Sequence, residues 1–596
     1  MIMDKNIIDS RVNALRKYMA ENNLAAYIVV SSDAHSSEYV ADRWKAREWL
    51  TGFDGSAGTA VVTATDARVW TDSRYWLAAD AALANTPFTL MKDGAADTPS
   101  LIEWLCSTLE SGATVGVDGS VCSIAEAKDW AAALSQAGIS MDSSLDAVGA
   151  IWGERPSVPT GLAQVMPLEL CGESAADKIA RLRELLAAKG ADGMLVTMLD
   201  EVAWLANIRG CDVEYNPVVV AYMLVTQESV VLYILPEKLT DEVREHLSLA
   251  GIETAHYDAV WQALSDYPHD TILLQPTRCN RLVLEYLNPA CSPLFGDSPA
   301  AAMKAVKNAT EIAGFERAMV AEGVAMVKLL KWLKPAVERG GVTELCVDEK
   351  LTALRRECEA FQGLSFATIA AYGSNAAIVH YEPCAENNAT LQPSGFLLLD
   401  CGGQYNCGTT DITRTIPLGP LSDEERRDYT LVLRGHISLA MAQFPQGTCG
   451  TQLDVLARQW LWRAGENYLH GTGHGVGHFL NVHEGPHQIR MNNMPAPLLP
   501  GVTVTNEPGL YKAGRHGIRI ENTMLVEHCA TTEFGNFCSM RPLTLCPIDT
   551  TAIVPELLGA EAIAYLNSYH TMVCEKLSPY LDGEELEFLI KSCKSI

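Results

Sequence analysis

The sequence predicts an α/β and α+β protein: two tandem, related α/β domains, then an α+β domain of helices around antiparallel sheet. Three observations carry this reading. The chain has 596 residues, too many for one hydrophobic core. Residues 15–30, "LRKYMAENNLAAYIVV", are echoed by residues 182–197, "LRELLAAKGADGMLVT", and each reads as an amphipathic helix leading into a buried strand. From Phe361 onward the apolar pattern changes to short alternating runs with glycine-rich turns, the signature of antiparallel strands.

Each copy of the echo is followed by a Trp-Leu pair, Trp49-Leu50 and then Trp204-Leu205, so the two domains share more than one phrase. Between them "IWGERPSVPTGLAQVMP" is rich in proline and glycine, as a linker is, which puts the first domain at residues 1–157. The second spans 158–302, ending after "NPACSPLFGDSPA". The third, 303–596, opens on "ATEIAGFERAMVAEGVAMVKLLKWLKPAVERG", where apolar residues keep helical spacing until a Gly-Gly pair stops it. The stretch "GAEAIAYLNSYHTMVCEKLSPYLDGEELEFLIKSC" predicts closing helices, over an interface or on the domain's own core.

Composition narrows the functional classes. Apolar residues are 48% and charged residues 20% of the chain, a soluble globular balance. With 45 basic and 73 acidic side chains the net charge is −28, which repels nucleic acid and anionic lipid. The 17 cysteines form no C-x-x-C pair, and some sit inside apolar runs such as "FLLLDCGG", as thiols do in a reducing compartment. The N-terminal segment "MIMDKNIIDSRVNALRKYMAENN" is charged throughout, and no apolar run reaches the ~20 residues a membrane span needs. A cytoplasmic location is expected.

Chemistry concentrates in three segments of the third domain. In "FLLLDCGGQYNCGTTDITRTIPL", a turn centred between Tyr405 and Asn406 sets Asp400 opposite Asp411, with Cβ atoms about 5 Å apart. In "GVTVTNEPGLYKAGRHGIRIENTMLV", Glu507 and Glu521 are equidistant from Gly514, and Arg519 falls on the face of Glu521, placed to orient it. Bare carboxylates so close repel unless one holds a proton or a cation lies between them. One such pair is equally an exposed acidic feature. Two pairs, with "HGTGHGVGHFLNVHEGP" between them, point to divalent cations that take oxygen ligands and one imidazole, such as Mn²⁺, Co²⁺ or Zn²⁺. Four carboxylates balance two such ions, and paired metals lower the pKa of a water between them. The glycines let that segment pass close to a crowded centre.

The three segments together resemble the metal-site motifs of metallopeptidases with the pita-bread fold. Within that group the sequence is similar to the aminopeptidase P, or Xaa-Pro aminopeptidase, family in its long three-domain form. The resemblance extends through "GFDGSAGTAVVT", "WTDSRYW", "LDEVAWLANIRG" and "AIVHYEP" and covers essentially the whole chain. It implies creatinase-like N-terminal domains and two divalent metal ions, Mn²⁺ first. Asp400 would bind one ion, His474 and Glu507 the other, and Asp411 and Glu521 both. His380 and His483 would bind substrate and stabilise charge at the reacting carbonyl. His470 would lie behind them, and Arg74 would reach the substrate from the first domain. His478 is read as structural.

The reaction so implied is hydrolysis of the N-terminal Xaa-Pro bond of peptides with proline in second position, by a homodimer. Glu507 would carry the proton, and Arg519 would sit on the substrate side. A prolidase shares the metal centre but has no need of the extra tandem domain. A methionine aminopeptidase would lack both N-terminal domains. A non-catalytic peptide-binding module would have lost ligands, whereas all five are present.

Overall fold

The computed structural model describes residues 5–385 and 387–596; the first four residues of the N-terminal segment lie outside them. The chain divides into two compact units, one of residues 1–168 and 173–301, the other of 169–172 and 302–596.

The first unit contains the duplication predicted from the echo. One six-stranded sheet runs in the order Thr89–Lys92, Ala67–Thr71, Thr59–Thr63, Ala26–Val30, Thr114–Val117, Ser140–Asp142. The other runs Glu253–Ala255, Val230–Ile234, Ala221–Thr226, Gly193–Val196, Thr271–Leu274, Ser292–Phe295. Both have the same alternation of pairing: Ala26–Val30 and Gly193–Val196, the strands of the echo, are each antiparallel to the strand on one side and parallel to the strand on the other. The echoed phrases become the helices Lys5–Glu21 and Ala175–Ala188, each burying one apolar face, and strands buried along their whole length. Where the two domains meet, His35 Nδ1 donates to the Thr197 carbonyl at 2.8 Å, so Nε2 accepts from the Tyr257 hydroxyl, also at 2.8 Å.

The second unit is α+β. Its helix Ala309–Arg339 has 31 residues, starts on an Asn308 capping box closed by Glu311, and stops at Gly340, whose φ is +82°. Inside, every sheet is antiparallel. Phe396–Cys401 lies between Ile369–Tyr372 and Ile412–Pro417. A six-stranded sheet has the order Gln443–Pro445, Gly535–Pro542, Asn522–Thr532, Thr503–Asn506, Gly473–Gly475, Glu484–Ile489. The helix Ala560–Leu577 buries Leu566, Tyr569, Val573 and Leu577 in this unit's largest core, so the C-terminal segment packs on its own domain. Among the described residues, no helix is long and apolar enough to cross a membrane.

That core holds histidines as neutral groups. His570 is fully buried and its Nε2 accepts from the Ile548 amide at 3.1 Å; burial first, then the nearby Arg414 charge, pushes its pKa down to about 4. In the unfolded chain the ring takes a proton below about pH 6.5. Its contribution to stability is therefore complete above that pH and is lost as pH falls toward 4. In urea denaturation followed between pH 6.5 and 5, His570→Gln should flatten the pH dependence of stability by up to about 1.4 kcal/mol per pH unit, the one-proton limit approached toward pH 5.

Candidate metal centre

The second unit assembles the acidic residues at the convergence of three antiparallel segments. In the first, Tyr405 pairs with Gly408, so the turn is Asn406-Cys407, and Asp400 stands opposite Thr413. The expected register, with Asp400 facing Asp411, is thus off. The reason is Tyr405, which belongs to a strand instead of a turn: it pairs with Phe361, is fully buried, and donates from its hydroxyl to Glu322 at 3.0 Å. Asp411 instead occupies the step between the strands Gly408–Thr409 and Ile412–Pro417. Glu322 also accepts from Thr410, the residue before Asp411, at 3.1 Å, and is itself paired with buried Arg355.

The second hairpin has the expected centre. Gly514, with φ +72°, lies at the tip, Lys512 pairs with His516 and Gly509 with Arg519, and the same register resumes with Asn506 opposite Asn522. Glu507 and Glu521 fall in the interval between these paired stretches, equidistant from the tip. Arg519 does not orient Glu521 as expected. Its guanidinium donates twice to Asp400 Oδ2, at 3.0 and 2.6 Å, while Glu521 accepts from the Thr413 hydroxyl at 2.9 Å.

His474 comes from the strand Gly473–Gly475. A Cβ on Gly473 would stand 1.9 Å from the Thr505 carbonyl oxygen, and one on Gly475 would stand 2.4 Å from that of Glu484. The flanking glycines are therefore imposed by close approach of neighbouring strands. His474 Nδ1 donates to the Gly475 carbonyl at 2.9 Å, which leaves the Nε2 lone pair facing Asp411 Oδ2 at 3.4 Å and Glu507 Oε1 at 3.6 Å. Ligand atoms of Asp411, His474 and Glu521 all lie within 4.8 Å of one another.

Electrostatics shows what this group is short of. Asp400, Asp411 and Glu521 are buried and Glu507 is half-buried. Burial, and then the neighbouring carboxylates, pushes Asp411 and Glu521 well above the usual carboxylate range. Burial raises Glu507 to about 7, against the opposing pull of Arg519. Asp400 Oδ1 is buried without a hydrogen-bond partner. Lone pairs and carboxylates converge with too little positive charge, and the donor set of oxygens plus one imidazole fits divalent metal ions.

The other predicted residues divide by unit. His483 has its ring centroid 4.4 Å from that of His474, and its charge bears on both Asp411 and Glu507. His380 follows Val379, whose carbonyl accepts from Arg519 Nη2 at 3.3 Å. His470 Nε2 lies 2.8 Å from the Tyr511 hydroxyl, which is 2.7 Å from Arg519 Nη1. The oxygen accepts from Arg519 and donates to His470, a chain that ends at Asp400. His478 is buried edge-on against Phe315, 5.6 Å between centroids. Arg74 belongs to the first unit, where it pairs with Asp72 at 2.9 and 2.7 Å and with Glu38 at 3.8 Å. Sequence reasoning missed Tyr511 and Thr413; both lie on the quoted motifs, but only their hydroxyls' partners reveal what they hold.

Fold and site together define a metal-dependent hydrolase of the metallopeptidase class, with a duplicated α/β region ahead of its catalytic domain. Residues 313–528 match Metallopeptidase family M24, and residues 536–596 match the C-terminal region of peptidase M24. Residues 11–148 and 154–311 each match a Creatinase/Prolidase N-terminal domain. A "Probable Xaa-Pro aminopeptidase P" of Laccaria bicolor is 39% identical over 98% of this chain and 93% of its own. "Aminopeptidase P1" of Lotus japonicus is 37% identical over 99% of this chain and 100% of its own. The crystal structure of the X-prolyl aminopeptidase of Caenorhabditis elegans, described as a cytosolic enzyme with a di-nuclear active site, superposes with a TM-score of 0.95. It is 34% identical, over 99% of this chain and 100% of that one. The chain belongs to the Xaa-Pro aminopeptidase P family of M24 metallopeptidases.

Because Asp411, Glu521 and Glu507 hold their protons too tightly without added positive charge, cation binding should release protons. Adding Mn²⁺ to chelator-treated protein at pH 6.5 should acidify a weakly buffered solution, and the apparent affinity should rise up to tenfold per pH unit for each proton displaced. Indicator-dye titration measures both, and a pH-independent affinity from 6 to 7.5 would contradict the electrostatic picture.

Proposed function

We propose that the protein is a dinuclear-metal aminopeptidase that hydrolyses the N-terminal Xaa-Pro bond of peptides and releases the first residue. The observation that carries this reading is the meeting of Asp411, His474 and Glu521 within 4.8 Å, beside Glu507 and Asp400, in a chain alike end to end with the C. elegans enzyme. Peptide bonds before proline have no N–H to donate, and the preceding residue is restricted, so clefts that bind substrate as a strand handle them badly. In this reading Asp400, Asp411, His474, Glu507 and Glu521 would together hold the two ions, Asp400 serving one, His474 and Glu507 the other, and Asp411 and Glu521 being shared. Mn²⁺ is the first expectation, with Co²⁺ or Zn²⁺ as substitutes. The ions, when bound, supply Lewis acidity and an activated water at neutral pH.

The chain's own residues do the rest. Glu507, beside the reacting water, accepts its proton and returns it toward the leaving proline nitrogen. His380 and His483 donate to the substrate carbonyl and to the charge that develops on it. Arg519, through Tyr511, ties His470 to the Asp400 side of the centre. The family resemblance adds Arg74 to the residues that would bind substrate. Domain limits at 157 and 302, a cytoplasmic location and a homodimer complete the reading, the location supported by the description of the C. elegans relative as cytosolic.

A tripeptide such as Arg-Pro-Pro separates this activity from that of a prolidase, which is confined to dipeptides. Release of free arginine, abolished by chelation and restored by Mn²⁺, is the expected result; cleavage of Xaa-Pro dipeptides alone would reject it. His483→Ala should lower kcat roughly 100-fold, as loss of one oxyanion donor does, with metal content unchanged by mass spectrometry. If metal is lost in parallel, His483 is a ligand instead. Sedimentation at micromolar concentration tests the dimer.

A further inference from the structure

Behind His380 lies a buried carboxylate that neither the sequence motifs nor the metal centre explains. Glu344 is the first residue of the helix Glu344–Arg355, is fully buried, and points into the segment that carries His380. Its oxygens accept from the Tyr372 amide at 2.6 Å, from Asn375 Nδ2 at 3.0 and 3.2 Å, from the Tyr381 hydroxyl at 2.8 Å, and from the Ala389 amide at 2.7 Å. All four are neutral donors, and the charge sits at a helix N-terminus, where the helix dipole favours it. A buried carboxylate left with fewer donors is costly, so Glu344 fixes the segment on both sides of His380 at once.

The geometry is specific to that histidine. The residue before it, Val379, is bonded through its carbonyl to Arg519, and the residue after it, Tyr381, is bonded through its hydroxyl to Glu344. The single turn Gly373–Ala377 lies against the hairpin so closely that a Cβ on Gly517 would stand 1.7 Å from the Ala376 carbonyl oxygen. Asn375 Nδ2 also donates to Tyr381 at 3.0 Å, which closes a ring of contacts around Glu344. His380 is thus held at consecutive neighbours, by the metal-side arginine on one and by Glu344 on the other, while its own ring stays half-buried.

We propose that Glu344 is a positioning residue for the peptidase reaction: it sets the placement of His380 against the substrate carbonyl without touching substrate or metal. The inference rests on the assignment of His380 to substrate binding, and the experiment keeps the two apart. Glu344→Gln conserves shape but turns an N–H₂ toward groups that are themselves donors. Tyr381→Phe removes one hydroxyl, with its contacts to Glu344, Asn375 and the Asn387 carbonyl, keeps the carboxylate itself, and guards against misfolding of the first variant. All variants are assayed as the Mn²⁺-loaded full chain with Arg-Pro-Pro, with metal content measured alongside.

Glu344→Gln should lower kcat/KM about 30-fold and Tyr381→Phe about 5-fold. Each should divide its loss between kcat and KM as His380→Ala does, with metal content unchanged. In a His380→Ala background both should cost less than twofold. A merely structural defect would reduce the active fraction, lowering apparent kcat at constant KM, and its effect would multiply with that of His380→Ala. That outcome, or a Tyr381→Phe enzyme that matches wild type while His380→Ala is impaired, overturns the role of Glu344 alone. An unimpaired His380→Ala enzyme overturns the assignment of His380, and the inference with it.

Discussion

The central constraint is the crowding of four carboxylates around one imidazole. Two unit charges 4 Å apart repel by about 4 kcal/mol at an effective dielectric of 20, and Arg519 neutralises only part of the group, through Asp400. Left to themselves these side chains would rotate apart into water. Three of the five are bonded from behind and hold the group together: Asp400 by Arg519, Glu521 by Thr413, His474 through Nδ1 to its own backbone neighbour. The framework is thus organised for cations, and the raised proton affinities of Asp411, Glu521 and Glu507 record the same shortage of positive charge.

A second layer of buried charge lies behind the segments that carry these side chains. Glu322 with Arg355 holds Tyr405 and Thr410 next to Asp411. Lys304 and Lys307 both pair with Glu484, the residue after His483. Buried ion pairs contribute little net stability, because desolvation offsets their attraction, yet breaking one is strongly destabilising. Their positions, each beside a metal- or substrate-facing residue, are better explained by the precision they give than by the stability they add. Glu344 follows the same logic with neutral donors in place of a cation.

Much of this was legible in the sequence, and the failures have identifiable physics. The duplication could be read because helix period and buried strand recur in the same order at both places. The hairpin around Gly514 could be read because alternation continues through its tip, so its register follows from symmetry. The hairpin before Asp411 could not, because its turn position was decided by Tyr405, whose burial and bond to Glu322 are tertiary facts. Arg519 was placed near the right carboxylates but given the wrong partner, since sequence spacing describes neighbours along a strand and not across sheets. Glu344 carries no local signal at all. Its donors lie between 28 and 45 residues away in the chain.

The glycines of "HGTGHGVGH" follow from the same crowding. A site that brings several strands' side chains within bonding range of a common point must also bring their backbones together. Carbonyl oxygens of Thr505, Glu484 and Ala376 lie where Cβ atoms of Gly473, Gly475 and Gly517 would otherwise be. A methyl group at any of these positions would force strands apart by an ångström or more, and so separate ligands that must close on ions of fixed radius. Imidazoles can occupy such poorly packing backbone because they do not depend on apolar contact: His470 and His474 are held by directed hydrogen bonds, and His483 stands edge-on to His474. Backbone closeness and side-chain convergence are one requirement, met by the alternation of glycine with histidine.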